Sequence, residues 1–456
     1  MTERTRPYAF QIQGARSIHR FGGRALLAYE MGLGKTFTSL LYVERHPECL
    51  PVVVVCPASV KWNWKKECWE HFRRRAEVIE GSDPKKVAPP MKADVYVINY
   101  RILRNWLPWL KRRDPGLIII DECQYVKSRS SQRTKAVTDL CRGRQRVVAL
   151  SGTPLTNKPS DLWSVLNLLR PDLFPSFYRF GHRYCKPERT RFGWKFDGAE
   201  NIEELHGILG SSLMIRRKKS EVLKDLPSKS RNVLLFHLTK EQEAELRKAQ
   251  DKFLLWLREQ GADSREILRK SRAEAIARLT AVKQLIGQMK MENLTEWITS
   301  FLDGTEQKLV VMGVHRDLLA GLKKKFPDSV LIDGSTPARE RQTIVERFQT
   351  DPSTRLFLGN VQAAGTGITL TAASTLLFAE FSWVPGDHLQ AEDRIHRISQ
   401  DNPVQIYYSY VQGTIEEILL KTIRKKQDVI NQVMDGGNVE SVDSLEDLLQ
   451  ESLQIA

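Results

Sequence analysis

The sequence predicts an α/β protein: two parallel sheets, each covered by helices on both faces, with helical insertions and a short acidic tail. Three observations carry this. Short β-branched apolar runs recur along the chain, helical patterns separate them, and 456 residues exceed what one core ordinarily serves. Runs that are apolar throughout, without alternation, mark strands buried on both faces.

In chain order, "ALLAY" (25–29) reads as a strand leading into the helix "TFTSLLYVERH". "VVVV" (52–55), "VYVI" (95–98), "LIII" (117–120) and "RVVAL" (146–150) continue the first sheet. "GSDPKKVAPP" (81–90) is a surface loop. Residues 155–225 read as mainly helical, with Trp163, Phe174, Phe177 and Phe180 as packing anchors. "TKEQ" opens a second helical region through a capping box between Thr239 and Gln242. Strand signals return at "KLVVM" (308–312), "VLID" (330–333), "LFLG" (356–359), "TLLFAE" (375–380) and "QIYYSYV" (405–411). The expected domains are 1–225, with a helical insertion at about 155–225; 226–430, with one at about 239–303; and a tail at 431–456.

Hydrophobic residues at 41% and charged residues at 27% describe an ordinary soluble composition. No apolar run reaches the ~18–20 residues of a membrane helix, and MTERTRPYAF lacks the apolar centre of a secretion signal. A cytoplasmic location is expected in a bacterial or phage-infected cell, a nuclear one in a eukaryote. The six cysteines form no CxxC pair, which argues for reduced thiols over zinc or disulfides. Gln427–Ala456 hold seven acids and no lysine or arginine, so the rest of the chain carries seven charges more than the overall +15. So basic a body suits nucleic acid.

Four motifs carry chemistry. In "EMGLGKT", Gly32, Leu33 and Gly34 form a turn whose backbone N–H groups can face a phosphate at a helix N-terminus. Lys35 supplies charge to the β- and γ-phosphates of ATP, and the Thr36 hydroxyl can ligand Mg²⁺. Tyr29 stands where the full nucleotide-loop pattern wants Gly or Ala. In "LIIIDECQ", paired acids end a buried strand, where parallel sheets bind ligands. Asp121 would hold Mg²⁺, and Glu122 would polarise the attacking water. "ALSGTPLTN" (149–157) follows another buried strand, and its Ser151 and Thr153 can bond groups near the nucleotide. In "QAEDRIHRISQ" (390–400), Gln390, Arg394 and Arg397 share a helical face suited to charge developing on the γ-phosphate.

With "DGST" (333–336), "AAGTGITLTAA" (363–373) and "LMIRRKKSEVLKDLPSK" (213–229), this ordered set resembles helicase superfamily two. The details are similar to its SWI/SNF-type branch of double-stranded DNA translocases, and the compact layout to annealing-helicase relatives. The resemblance covers about residues 7–430 and implies two RecA-like lobes. It implies that Gln11 in "FQIQG" reads adenine, that Gly365, Thr366 and Gly367 link DNA contact to the nucleotide cleft, and that Arg397 and Arg394 are arginine fingers. It also places "CPASVKWNW", "INY" (98–100) and "DGST" along the tracked DNA. Relatives usually carry an acid at the Tyr29 position, histidine at Gln124 and glycine at Ser399.

Basic stretches at 61–75, 110–114, 127–135, 216–219 and 323–325 are candidate contacts to the DNA backbone, about a third of them expected to serve. Trp62, Trp64 and Trp69 read as a core-facing set in preference to base-stacking residues. The acidic tail reads as a solvating end, or alternatively as an amphipathic helix docking on the basic body or a protein partner. The expected function is an ATP-dependent motor moving along double-stranded DNA. The alternatives are a strand-separating helicase and a nucleotide-gated DNA clamp.

Overall fold

The computed structural model describes residues 6–87, 90–155, 158–190, 193–223, 225–259, 272–364 and 367–435. Of these, the residues up to Asp225 together with those from Asp428 onward form one compact unit; Leu226–Gln427 form the other.

The first unit is built on β1 (Arg24–Tyr29), β2 (Val52–Cys56), β3 (Ala76–Val78), β4 (Val95–Asn99), β5 (Leu117–Asp121) and β6 (Val147–Leu150). A two-stranded antiparallel hairpin, β7 (Glu188–Thr190) and β8 (Gly193–Lys195), stands apart, and β9 (Met214–Arg217) returns to the main sheet. The strand order is β3-β4-β2-β5-β6-β1-β9, every pair parallel. The apolar runs of β2 and β5 are fully buried because both faces are covered. On one face Leu27, Val54 and Ile119 pack with Phe10, Phe37, Leu40 and Trp64 from the helices Ala9–Arg20, Lys35–Arg45 and Lys61–Phe72.

The stretch expected to be mainly helical does hold the helices Trp163–Leu169, Phe177–Tyr184 and Ile202–Ser212, but β7, β8 and β9 as well. "MIRR" is too short and too charged to signal a strand. It becomes one because the exposed edge of β1 supplies partners: Leu26 N–H donates to Leu213 O and Glu30 N–H to Arg217 O.

The second unit has β10 (Lys229–Phe236), β11 (Lys308–Gly313), β12 (Val330–Ile332), β13 (Leu356–Asn360), β14 (Ala373–Phe378) and β15 (Val404–Val411). Their order is β10-β15-β14-β11-β13-β12, again all parallel. β10 lies at an edge and leaves Val233 and Leu235 exposed. The predicted capping box forms: Gln242 N–H donates to Thr239 Oγ1 at 3.3 Å, and Thr239 N–H to Gln242 Oε1 at 3.0 Å. It opens the helix Lys240–Glu259; residues 260–271 of the expected insertion lie outside the described residues. The following helices, Arg272–Met289 and Met291–Gly304, are no appendage. Ile286, Leu294 and Ile298 pack on Val311, Leu358 and Leu377, so they form one covering layer of the second sheet. The fully buried Lys290 ties that layer down, donating to Ala379 O (2.6 Å), Ser409 O (3.2 Å) and Glu416 Oε1 (2.8 Å). Such a charge survives burial because every proton has a partner.

The six cysteines are buried and unpaired. Among the described residues, no helix is long and apolar enough to cross a membrane.

Candidate nucleotide site

The carboxyl ends of β5, β6 and β1 lie side by side, with Asp121 level with Leu150 and Leu150 with Leu27. Parallel pairing therefore delivers three candidate motifs to one edge: "EMGLGKT" after β1, "DECQ" after β5 and "SGT" after β6. Gly34 caps the helix Lys35–Arg45 in the left-handed region at φ 72°. A Cβ there would sit 2.5 Å from the Gln11 amide nitrogen and displace it, and the positive φ itself favours glycine. Gln11 is held by its own turn and by the loop: Oε1 accepts from Tyr8 N–H at 3.0 Å and Nε2 donates to Leu33 O at 3.4 Å. One donor and one acceptor site of the amide remain for a base.

Lys35 Nζ donates to Tyr29 O at 3.0 Å and Glu30 O at 3.3 Å, which aims the ammonium across the loop. A Cβ at Gly152 would lie 3.3 Å from that nitrogen, so the "SGT" turn closes on the loop. The Tyr29 side chain leaves the loop altogether. It is fully buried, edge-on to Phe10, and its hydroxyl donates to Phe10 O at 2.8 Å. The strand turns this side chain into the core, away from the loop.

Asp121 is gripped from three directions. Trp64 Nε1–H donates to Oδ2 at 2.8 Å, Glu122 N–H to Oδ1 at 3.0 Å, and the Tyr100 hydroxyl to the Asp121 carbonyl at 2.6 Å. Burial, then the adjacent Glu122, push its carboxyl up to about 7; the Trp64 N–H and Lys35 oppose them. A carboxyl in that state gains from an added cation.

Glu122 adopts a left-handed backbone at φ 52°, a strained conformation for a non-glycine residue that recurs at functional sites. Its Oε2 accepts from Gln124 Nε2 at 2.7 Å, Gln124 Oε1 accepts from Ser151 Oγ at 2.7 Å, and Ser151 Oγ accepts from Thr153 N–H at 3.0 Å. A continuous hydrogen-bonded chain thus joins the acid of one motif to the next motif. Asn157 of that motif lies outside the described residues.

In the second unit, Gln390 and Arg394 lie on the helix Pro385–Ile395, but Arg397 does not: the helix stops at Ile395. The shared helical face is therefore corrected. His396, at ψ 80°, breaks the periodicity. Arg394 is 4% exposed and holds backbone, donating to Gln390 O at 2.9 Å and Ile368 O at 3.1 Å. Arg397 is half-buried; it donates to Asp393 O at 2.8 Å and to Thr369 Oγ1 at 2.9 Å. Gly365 and Thr366 lie outside the described residues. The "DGST" turn is built on Asp333, whose Oδ1 accepts from Ser335 N–H at 2.8 Å and whose Oδ2 accepts from Arg316 at 3.0 Å. Ser335 and Arg316 hold its carboxyl down at about 2. Arg341, which sequence reading passed over, bridges Thr336 O (3.0 Å), Asp333 O (3.1 Å) and Ala363 O (3.0 Å).

Comparison with known proteins bears on the family of the chain. An SNF2-related domain matches residues 16–290, and a helicase conserved C-terminal domain matches residues 289–399. The chain belongs to the SNF2 family. A Caenorhabditis elegans homolog of SWI/SNF-related matrix-associated actin-dependent regulator of chromatin subfamily A-like protein 1 is 34% identical over 95% of this chain and 62% of its own length. The DNA annealing helicase and endonuclease ZRANB3 of Mus musculus is 32% identical over 95% of this chain and 41% of its own length. The chain thus spans less than two thirds of these relatives. A solved Sulfolobus solfataricus SWI2/SNF2 ATPase core in complex with dsDNA is 26% identical, covering 99% of this chain and 98% of that one, with a TM-score of 0.45.

Against the SNF2 motif pattern, the glutamine at 124 fills its place in the chain from Glu122 to Ser151 by donating one way and accepting the other. The tryptophan expectation is corrected. Only Trp64 is buried; Trp62 and Trp69 are 50% and 58% exposed, because a helix lying on a sheet cannot turn positions 62, 64 and 69 all inward. Several basic candidates have internal work. Lys61 is buried and donates to Ile79 O at 3.2 Å; Arg216 pairs with Asp435 at 2.9 Å; Lys111 pairs with Asp139 at 2.9 Å. Trp64 and Tyr100, as holders of Asp121, escape composition: nothing local marks which tryptophan will reach a strand 57 positions away.

Proposed function

We propose that this chain is a DNA-dependent ATPase that couples hydrolysis to movement along double-stranded DNA, in the context of fork remodelling or strand annealing. The observation that carries the reading is the convergence of Lys35, Asp121, Glu122 and Ser151 on one sheet edge through three adjacent parallel strands. The side-chain amide of Gln11 binds adenine, whose N6 amino group donates and whose N7 accepts. The loop from Gly32 to Gly34, with Lys35, seats the phosphates at the helix N-terminus. Glu122, oriented by Gln124, takes the role of polarising the attacking water. Thr36 and Asp121 are the residues to hold Mg²⁺, which when bound neutralises phosphate charge. From the second unit, Arg397 is assigned to the γ-phosphate. Arg394, occupied with the backbone at 368, positions the segment before it.

Double-stranded DNA is the assigned partner through its backbone, without sequence readout. The name of the Mus musculus relative speaks of a DNA annealing helicase and endonuclease. The test is ATP turnover with blunt duplex, single-stranded DNA and RNA. Stimulation greatest with RNA overturns the assignment. Displacing a triplex strand without opening a tailed duplex marks a translocase; opening that duplex marks a strand-separating helicase.

A further inference from the structure

Within the first unit, far along the chain from the nucleotide motifs, the helix Phe177–Tyr184 and the β7–β8 hairpin build an aromatic surface. Three rings follow one another: Tyr178 lies 4.2 Å from His182, and His182 lies 4.5 Å from Trp194. The two outer rings are open to solvent, Tyr178 at 54% and Trp194 at 43%. The row is rigidly mounted. Phe196 backs His182 at 5.3 Å and packs against Gly181, where a Cβ would meet its ring at 2.6 Å. Asp197 anchors the end of the hairpin to Lys158 and, at 3.4 Å, to Lys195.

The rim is basic. Arg179 is next to Tyr178 in sequence, Arg189 pairs with Trp194 across the hairpin, and Lys186 lies between helix and hairpin; all three are exposed. Among the described residues, none of the three has a carboxylate within ion-pair distance. Exposed rigid aromatics flanked by uncompensated cations suit unpaired bases on a polyanionic backbone, and a stacked duplex offers no such faces.

We infer that this surface is a stacking platform for single-stranded DNA, taking the unpaired arm of a fork or junction. It extends the proposed function by adding a junction-reading element separate from the duplex-tracking motor, and it rests on that reading only for its biological setting. Tyr178 and Trp194 stack on bases, while Arg179, Lys186 and Arg189 face the phosphates.

The experiment uses the full chain. Binding of oligodeoxythymidylate, forked DNA and blunt duplex is measured by fluorescence anisotropy for wild type, for Y178A/W194A and for Y178F/W194F. The alanine pair weakens oligodeoxythymidylate and forked DNA by roughly tenfold or more, leaves blunt-duplex binding and blunt-duplex-stimulated ATPase unchanged, and the phenylalanine pair restores most of the loss. R179Q/R189Q flattens the salt dependence of oligodeoxythymidylate binding. Unchanged binding of both single-strand-containing probes by the alanine pair overturns the platform. So does an equal loss on blunt duplex, which would make the surface a general duplex contact. If blunt duplex fails to stimulate wild-type ATPase, the motor reading falls, yet the oligodeoxythymidylate comparison still decides the platform.

Discussion

Gln124 is the residue whose replacement tests the site most directly. Its amide donates to Glu122 at 2.7 Å and accepts from Ser151 at 2.7 Å, so Gln124→Ala cuts the chain between two motifs at its middle. A hydrogen bond to a carboxylate, as at Glu122, is worth about 1.5–3 kcal/mol, and the neutral bond to Ser151 about 0.5–1.5 kcal/mol. If Glu122 must keep its orientation while the water attacks, losing the first bond alone slows kcat by roughly 10- to 150-fold. The phosphate loop touches neither bond, so ATP affinity stays within about twofold. The assay pairs steady-state ATP turnover at saturating duplex with equilibrium binding of a fluorescent nucleotide. Ser151→Ala gives a smaller loss, and the double replacement falls short of the product of the two, with a coupling of about 0.5–3 kcal/mol. Gln124→His, whose ring can also donate one way and accept the other, retains most turnover. Full turnover in Gln124→Ala, or strict additivity with Ser151→Ala, refutes the argument.

Lys35→Ala abolishes turnover and weakens nucleotide binding, whereas Glu122→Gln abolishes turnover with binding retained; both are read by the same pair of assays. Arg397→Ala slows hydrolysis with little change in ATP affinity, and undiminished turnover removes it from the chemistry. Glu392 is wholly buried, and burial raises its pKa, but Lys229 at 2.8 Å and Arg231 at 2.6 Å outweigh this and hold it at about 2. A depressed carboxyl stabilises the fold fully above its unfolded pKa of about 4.3 and loses that contribution as pH falls toward 2. Glu392→Gln is therefore less stable than wild type at neutral pH, and the gap in Tm narrows on acidification. A gap independent of pH in thermal melts contradicts the ion-pair account.

The order of the motifs and the strands that carry them were legible in the sequence, because those strands are covered on both faces and so read as uninterrupted apolar runs. The capping box at Thr239 was legible too, since its bonds span three residues. What the sequence could not decide depended on partners distant in the chain. β9 is a strand only because the edge of β1 needs pairing, and the helices Arg272–Met289 and Met291–Gly304 are core only because a sheet face needs covering. Arg397 leaves the helix of Arg394 through a single backbone turn at His396 that side-chain periodicity does not register. The inward turn of Trp64 and Tyr29, and the outward turn of Trp62 and Trp69, follow from which face of each element meets the sheet. Local chemistry thus named the reacting groups, while long-range packing chose which neighbours hold them.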